Sequence, residues 1–356
     1  MSGPYRVVVV GMGKRGKHHA SAFQANPNFK VVGICDIDQA RLSAAAAELG
    51  NPETSTDAAK LTAALKPDVF CFCTMPNLRV PMIRIGVESG VRMIAFEKPV
   101  ADSTKAGLEM KAILAGTGIK TVVSHQHRYG VHYRKVKEIA ASGALGKVHT
   151  IYATSPGWMM HMVSHLIDYM RWYNNDVDAE WVMAQAAGRH KLSDNHPSPD
   201  YLAGFIHFAN GVRGIVETGA GAPNIPEVAK WWGRNRIRVM GDEGFAEVLT
   251  NGGWRAVTKA GALSGEGAMN YAVDMPPYVQ EMADWLKDDR KVHSCNFESA
   301  CKGFDVMMGL CRSVTDGGQV AMPLTDSRLE IEELRRKLAD KPVILASPDH
   351  KAEFGL

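Results

Sequence analysis

Short, continuous apolar runs alternate with amphipathic segments through the first third of the chain. Runs of about four to eight apolar residues are typical of parallel strands that are buried on both faces. The predicted strands are residues 5–10, 31–35, 69–73, 91–96 and 120–124, and the predicted helices are residues 18–25, 39–49, 57–65, 81–89 and 103–115. Strands separated by helices of this length imply right-handed crossovers. The pattern therefore predicts an α/β fold with a doubly wound parallel sheet.

The pattern changes after residue 124, where strands with alternating apolar and polar positions appear. The predicted strands are residues 148–154, 201–208, 212–218, 237–240 and 245–249, and the predicted helices are residues 131–142, 163–173, 278–287, 297–315 and 329–338. Asn210-Gly211 is a strong hairpin signal between two of these strands. We predict an α+β domain on an open, largely antiparallel sheet, whose uncovered face needs a cover such as a second subunit.

The turn after the first predicted strand has the sequence GMGKRG at residues 11–16. Gly11 permits the tight turn, Gly13 lets the backbone approach a pyrophosphate, and Gly16 lets helix and strand pack closely. The phosphates would bind at the helix N-terminus, where free N–H groups and the helix dipole favour anions. Asp36 ends the next strand and would accept hydrogen bonds from the adenosine ribose, so NAD is favoured over NADP.

Composition narrows the class of protein. A length of 356 residues favours two domains, which we place at residues 1–124 (Rossmann, dinucleotide-binding) and 125–356 (α+β, substrate-binding and oligomerisation). The net charge of +3 provides no electrostatic footprint for nucleic acid or an anionic membrane. No apolar run has the length of a membrane span, and no leader pattern precedes the first strand. Six cysteines without C-x-x-C spacing predict reduced thiols and a cytoplasmic location.

Three further residues are candidates for acid–base chemistry. Lys98 follows a predicted strand, and ligands of open α/β sheets bind beyond the carboxyl ends of the strands. His161 and His165 share one face if their segment is helical, and Asp168 lies near the same side as a packing or capping acid. Oxidation of an alcohol needs a base for the hydroxyl proton, and histidine suits that role. Lys98 would stabilise the developing alkoxide, or act as the base itself if desolvation lowers its pKa.

Together these features resemble the glucose–fructose oxidoreductase/inositol dehydrogenase family (Gfo/Idh/MocA) over most of the chain. The motifs that carry the resemblance are the glycine turn with His19, Pro76-Asn77, Glu97-Lys98-Pro99, Arg128-Tyr129, Gly143-x-x-Gly146, the segment holding His165 and Asp168, and Gly241-x-x-Gly244. The resemblance implies a Rossmann domain plus an α+β domain, and NAD(P)-dependent oxidation of a sugar or cyclitol hydroxyl or the reverse. It also implies Lys98 and His165 as the catalytic pair and a cis Lys98–Pro99 bond.

These considerations give a set of expected contacts. The residues expected to bind the cofactor are Gly11, Met12, Gly13, Lys14, Arg15, Gly16, Asp36, Thr74, Pro76, Asn77, Glu97, Lys98 and Gln126. The residues expected to bind substrate are Arg128, Trp158, His161 and His165, with Trp231 and Trp232 as further stacking candidates. Packing in the core or in a subunit interface is an equal alternative for the tryptophans.

Two positions depart from the family pattern. His161 stands where an aspartate commonly precedes the catalytic histidine by four residues, and Val80 stands where a histidine commonly follows the Pro-Asn pair. The first change removes a carboxylate that would hold and polarise His165. We therefore expect His161 to replace it in the catalytic group, with a specialised substrate or an altered pH dependence.

Three functions remain open at this point. The favoured one is an NAD-dependent oxidoreductase that transfers hydride between a sugar, glycoside or cyclitol hydroxyl and nicotinamide, working as a homodimer or homotetramer through its C-terminal sheet. The alternatives are a redox-neutral glycosidase or lyase with tightly bound NAD, and a non-catalytic NAD-binding regulator. We expect no metal ligands; the rival hypothesis is a metal held by His161 and His165 with Asp168, His125 or His127.

Overall fold

The computed structural model of this protein describes residues 3–229, 233–341 and 343, and it divides into two compact units. The first unit comprises Met1–Ala101, Ala106–Tyr129 and Asn270–Ala300, and the second comprises Asp102–Lys105, Gly130–Met269 and Cys301–Leu356. The sequence predicts a single boundary between residues 124 and 125. The observed division differs because residues 270–300 return to the first unit.

The helices and strands follow one another in the order that the sequence pattern predicts, with several additional strands. The strands are β1 (Tyr5–Val10), β2 (Phe29–Cys35), β3 (Glu53–Ser55), β4 (Val69–Phe72), β5 (Met93–Glu97), β6 (Lys120–Ser124), β7 (Val148–Ser155), β8 (Ala179–Ala187), β9 (Tyr201–Phe208), β10 (Arg213–Gly219), β11 (Arg236–Gly241), β12 (Gly244–Leu249), β13 (Gly253–Thr258), β14 (Gly261–Gly265) and β15 (Val320–Ala321). The α-helices are α1 (Lys14–Ala25), α2 (Gln39–Glu48), α3 (Ala58–Leu65), α4 (Arg79–Glu88), α5 (Thr104–Leu114), α6 (Val131–Ala141), α7 (Met159–Tyr173), α8 (Tyr271–Lys287), α9 (Phe297–Asp316) and α10 (Glu330–Lys337). Within the described ranges, no helix combines the length and apolarity that crossing a bilayer requires.

The sheet of the first unit has six parallel strands in the order β3-β2-β1-β4-β5-β6. The apolar runs of β1 and β4 are buried because helices cover both faces of a doubly wound sheet. β1 pairs with β2 on one side and with β4 on the other, so the strand order reverses between β1 and β4. Ligands of such sheets bind in the crevice beyond the carboxyl ends of the strands at this point. The predicted fold of the first domain is confirmed.

Helix α8 explains why residues 270–300 belong to the first unit. Met275, Tyr278, Val279 and Met282 recur at helical spacing and lie in the same buried cluster as Phe23 of α1. This apolar stripe packs against α1 and completes the core beside the first strands. The sequence predicts this helix from residue 278; the observed helix starts at residue 271 and contains Pro276 and Pro277.

The sheet of the second unit has nine strands in the order β14-β13-β12-β11-β7-β10-β9-β8-β15. Strands β7 and β10 pair in parallel, and the other neighbours pair antiparallel. The prediction of a largely antiparallel sheet is confirmed. Helix α7 packs on β7 and β10 with most of its residues buried. The candidate histidines His161 and His165 therefore lie on a rigid element.

Candidate active site

The glycine turn has the backbone geometry that its sequence predicts. Gly11 has a φ of +87°, and a Cβ there would lie 2.7 Å from the carbonyl oxygen of Cys73. A Cβ on Gly16 would lie 1.7 Å from the carbonyl oxygen of Gly11, so only glycine permits this approach of helix to strand. Gly13 is the N-cap of α1, makes no side-chain cap, and has open space where a Cβ would be. This open helix N-terminus fits the pyrophosphate of a dinucleotide.

Asp36 stands directly beyond β2, where the sequence analysis expects it. Its Oδ2 accepts a hydrogen bond from the Met12 backbone N–H at 2.5 Å, and its Oδ1 accepts one from the Asp38 N–H at 2.8 Å. The carboxylate is only 6% exposed, and its bond to the Met12 N–H holds the glycine turn. A carboxylate has about four lone-pair sites, so these two bonds leave capacity for a ribose hydroxyl.

Glu97, at the end of β5, contacts two side chains of α1, the guanidinium of Arg15 and the imidazole of His19. Arg15 Nη2 lies 2.8 Å and His19 Nε2 lies 2.8 Å from Glu97 Oε1. Burial alone would raise the pKa of the Glu97 carboxyl, but Arg15 and His19 hold it well below its usual range. Arg15 also lies over the ring of Tyr271 at 4.2 Å, whereas Lys14 is exposed. Of the two basic residues in the turn, Arg15 thus anchors Glu97 and Lys14 remains available at the surface.

Lys98 is half-buried after Glu97, and the Lys98–Pro99 bond is cis as the family resemblance implies. Burial lowers the pKa of the Lys98 ammonium to about 8, with Glu97 opposing this shift and the guanidinium groups of Arg15 and Arg79 reinforcing it. An amine with a pKa near neutrality exchanges protons readily in the working range of an enzyme.

Arg79 is a residue that the sequence analysis does not single out. Its side chain is 1% exposed, and Nη1 donates to the carbonyl oxygen of Thr74 at 2.8 Å. Nε and Nη2 lie 3.4 Å from the carbonyl oxygens of Pro99 and Lys98. Arg79 therefore ties the segment after β4 to the segment after β5. No periodic signal marks it, because a buried arginine is recognisable only from its partners.

Four other expected cofactor and substrate residues of the first unit follow β4 and β6, the strands on either side of β5. Pro76 and Asn77 form a 3₁₀ turn at Pro76–Leu78, in which Pro76 is buried. Gln126 and Arg128 are buried in a second 3₁₀ turn, Gln126–Tyr129. The Ser124 hydroxyl donates to Gln126 Oε1 at 3.0 Å, and Arg128 Nη1 donates to the carbonyl oxygen of Ser294 at 3.2 Å. The turns after β4 and β6 therefore carry these side chains at the carboxyl edge of the parallel sheet.

Helix α7 carries both candidate histidines. His165 is 7% exposed, and its Nδ1 lies 3.1 Å from the hydroxyl of Tyr169, whose ring stacks on the imidazole. If Nδ1 carries the proton and donates to Tyr169, Nε2 presents a lone pair and can accept a proton. Tyr169 is not among the predicted site residues, although its i,i+4 spacing from His165 places both residues on one helix face. Asp168 is buried on the same helix.

His161 lies in the first turns of α7 with a partner that the sequence does not indicate. Its ring lies 4.0 Å, centroid to centroid, from the ring of His196. Trp158 is the N-cap residue of α7, and Lys191 Nζ lies 5.0 Å from the centre of its indole ring. The two further stacking candidates, Trp231 and Trp232, lie outside the described residues.

Comparison with protein families decides the assignment. Residues 5–125 match an oxidoreductase family with an NAD-binding Rossmann fold (GFO_IDH_MocA), and residues 152–247 match the GFO/IDH/MocA C-terminal domain. The chain belongs to the Gfo/Idh/MocA oxidoreductase family. Membership confirms the NAD-binding Rossmann domain that the glycine turn and Asp36 predict.

Individual relatives agree with this assignment at low identity. The chain is 27% identical to inositol 2-dehydrogenase 4 of Saccharopolyspora erythraea over 227 residues, which are 60% of this chain and 66% of that protein. An oxidoreductase from Agrobacterium radiobacter, solved with NAD⁺, L-tartaric acid and magnesium, has a TM-score of 0.75 at 18% identity, covering 89% of this chain and 98% of that one. A scyllo-inositol dehydrogenase from Lactobacillus casei, solved with NAD(H) and scyllo-inositol, has a TM-score of 0.69 at 16% identity, covering 89% and 99%. The solved structures support the fold.

Proposed function

We propose that this protein is an NAD-dependent dehydrogenase that interconverts a CH–OH group of a sugar, glycoside or cyclitol with the corresponding carbonyl. The observation that carries the proposal is Lys98, an amine with a pKa lowered to about 8 that follows β5 in an NAD-binding sheet. The buried imidazole of His165 supplies the second proton-transfer group. The name of the inositol 2-dehydrogenase relative supports a polyol substrate.

The proposed roles follow from the charges of the two groups. His165 accepts the hydroxyl proton at Nε2 while Nδ1–H donates to the hydroxyl of Tyr169, which fixes the ring orientation. Lys98 in its ammonium form stabilises the negative charge that develops on the substrate oxygen. Bound NAD supplies the hydride acceptor for oxidation and the hydride donor for reduction. Arg79 and Glu97 are positioning residues. Arg79 donates to the backbone carbonyl oxygen of Lys98, and the carboxylate of Glu97 favours the charged form of the Lys98 amine.

A screen for NADH absorbance tests the activity. The purified protein is incubated with NAD and a panel of inositols, aldoses, glycosides and sugar acids, and any cofactor retained through purification is released and quantified. We expect NADH formation with at least one cyclic polyol. Glycoside cleavage without net NADH would instead establish the redox-neutral alternative, and NAD binding without turnover on any member would favour a regulator.

The cofactor preference gives the first prediction. Asp36 presents its carboxylate at the end of β2, so a 2′-phosphate would be repelled. We expect NAD to bind at least about tenfold more tightly than NADP in a calorimetric titration, since one unfavourable charged contact costs on the order of 1.4 kcal/mol or more. Asp36→Ser should reduce the ratio of NAD affinity to NADP affinity. Replacement of Asp38, which caps α2, should leave this ratio unchanged. Equal affinity of the wild-type protein for both cofactors would contradict the assignment.

We further propose that a second copy of the chain covers the open face of the nine-stranded sheet. Met183 of β8 and Phe205 of β9 are paired across the strands and are 43% and 49% exposed. Neighbouring Ile215 on β10 pairs with Phe205 and is partly exposed, so the three side chains form a continuous apolar patch. Exposed patches of this kind mark association surfaces. We also propose a cytoplasmic location, because the sequence contains six cysteines without C-x-x-C spacing.

This gives the second prediction. Phe205→Asp places a charge in the patch and should convert the assembly to a smaller species in sedimentation equilibrium. Val292→Asp is the matched control, because Val292 is 54% exposed in the first unit and lies outside the sheet. A wild-type protein that sediments as a monomer, or a Phe205→Asp variant with unchanged mass, would contradict the proposed assembly.

A further inference from the structure

A group of three metal-ligating side chains lies beside the N-terminal end of α7. His161 belongs to the first turns of that helix, and Asp194 and His196 follow a 3₁₀ turn at His190–Ser193. Each residue offers one ligand atom, and these atoms all lie within 4.8 Å of one another. Among residues 3–229, 233–341 and 343, it is the one group of three or more His, Cys, Asp or Glu with this spacing.

Backbone contacts hold the two ligand-bearing segments together. The backbone N–H of Met160 on α7 donates to Ser198 Oγ at 3.0 Å, and that hydroxyl donates to the carbonyl oxygen of His196 at 3.0 Å. Asp194 Oδ1 accepts the backbone N–H of His196 at 3.1 Å, so the acid and the second histidine are fixed relative to each other. Ser198 is fully buried, which makes this junction part of the folded unit.

The donor set identifies the class of ion. Two imidazoles and one carboxylate favour Zn²⁺, Co²⁺ or Fe²⁺, whereas Mg²⁺ and Ca²⁺ prefer an all-oxygen shell. Ligand atoms at about 2.0–2.2 Å from one ion lie roughly 3–3.5 Å apart. The ligand atoms lie within 4.8 Å of one another, so side-chain rotations have to bring them closer, and His161 and Asp194 can rotate because both retain exposure to solvent.

We propose that His161, Asp194 and His196 bind a divalent transition-metal ion of the zinc class. The sequence predicts no metal ligands, and the alternative metal site pairs His161 with His165; the geometry instead provides His196 and Asp194 as the partners of His161. Three protein ligands leave at least one coordination position for water or a substrate oxygen, as in catalytic rather than structural zinc sites. His161 precedes His165 by four residues, about one turn of helix α7. A substrate oxygen on the ion would therefore lie near the proposed base, an extension that rests on the proposed function.

Metal titration of the substrate-free protein tests the site. Chelator-treated protein is titrated with Co²⁺ while its visible d–d absorption is followed, and Zn²⁺ affinity is measured by competition with a chromophoric chelator. We expect one equivalent to bind to the wild type, and affinity to fall by about a hundredfold or more in His161→Ala and in His196→Ala. Asp194→Asn, which keeps the shape of the side chain, should weaken binding by a smaller factor.

Two histidine variants serve as controls. His190→Ala removes an exposed histidine from the same loop but outside the group, and His165→Ala removes the proposed base; both should bind Co²⁺ as the wild type does. Absence of stoichiometric binding to the wild type, or retained binding in His196→Ala, overturns the proposal. Loss of binding in His165→Ala together with His161→Ala overturns it in favour of the His161–His165 pair. NAD affinity and NADH formation of the chelator-treated protein are recorded in parallel, so failure of the metal site is distinguishable from failure of the dehydrogenase assignment.

Discussion

Replacing Lys98 with alanine is expected to lower kcat by about a hundredfold or more while leaving NAD affinity nearly intact. The side chain is half-buried, and the pKa of its ammonium is about 8 in the folded protein, because burial disfavours the charged form. Lys98 is proposed to stabilise the charge on the reacting oxygen rather than to bind the adenosine part of NAD, for which the proposed binding residues are those of the glycine turn and Asp36. Steady-state kinetics and a calorimetric NAD titration on the same preparations check both expectations.

The pH dependence separates the two roles open to Lys98. If the ammonium stabilises an alkoxide, turnover falls as pH rises through about 8, because the amine loses its proton there. If the neutral amine is the base, turnover rises through the same pH. We expect the first result, together with a fall at acidic pH where an imidazole becomes protonated. A rising limb near pH 8 in the wild type would make Lys98 the base and His165 the assisting group.

Two variants make the Lys98 experiment specific. Lys98→Arg keeps a positive charge that does not titrate below about pH 12, so it should retain more turnover than alanine and lose the alkaline limb. Lys60→Ala is the matched control, since Lys60 is an exposed lysine on α3 of the same unit. Equal loss in Lys98→Arg and Lys98→Ala, with an unchanged pH profile in Lys98→Arg, would exclude a simple charge role.

The first domain was predictable because each of its local signals agrees with the fold. The buried runs of β1 and β6 have the predicted bounds, and Asp57 caps α3 by accepting the backbone N–H of Lys60. Two of the strands that the sequence does not predict, β8 and β3, carry weak patterns. β8 is rich in alanine and polar residues, and β3 has only three residues, so neither shows a strong alternation.

The candidate site was predictable only where its residues follow one another along a strand or a helix. Lys98 follows a buried strand, and His161 and His165 share a helix, so both placements can be inferred from the sequence alone. Arg79 and His196 act through contacts with segments distant in sequence, namely the turn after β5 and the start of α7. Only folding brings such pairs together, and no local pattern in a single sequence predicts contacts between segments that are far apart along the chain.

His165→Ala is expected to cut turnover by about a hundredfold or more, again with nearly unchanged NAD affinity. The imidazole of His165 is almost fully buried. Its loss therefore removes the proposed proton acceptor at a position where bulk water is a poor substitute. His207→Ala is a suitable control in the same unit, because His207 is a partly exposed histidine on β9 beside Glu180. Unchanged turnover of His165→Ala on the true substrate would show that the catalytic assignment is wrong.

Two neighbours of His165 on α7 refine this test. Tyr169→Phe keeps the stacked ring but removes the hydroxyl that fixes Nδ1 of His165. We expect a smaller loss of kcat than in His165→Ala and a shift in the acidic limb of the pH–rate profile. His161→Asp restores the carboxylate that is common in the family four residues before the catalytic histidine. Since a carboxylate favours the protonated imidazole, it should raise the pH at which His165 becomes protonated and move the acidic limb upward while activity is retained. A pH profile that is identical in wild type, Tyr169→Phe and His161→Asp would mean that a group other than His165 takes the proton.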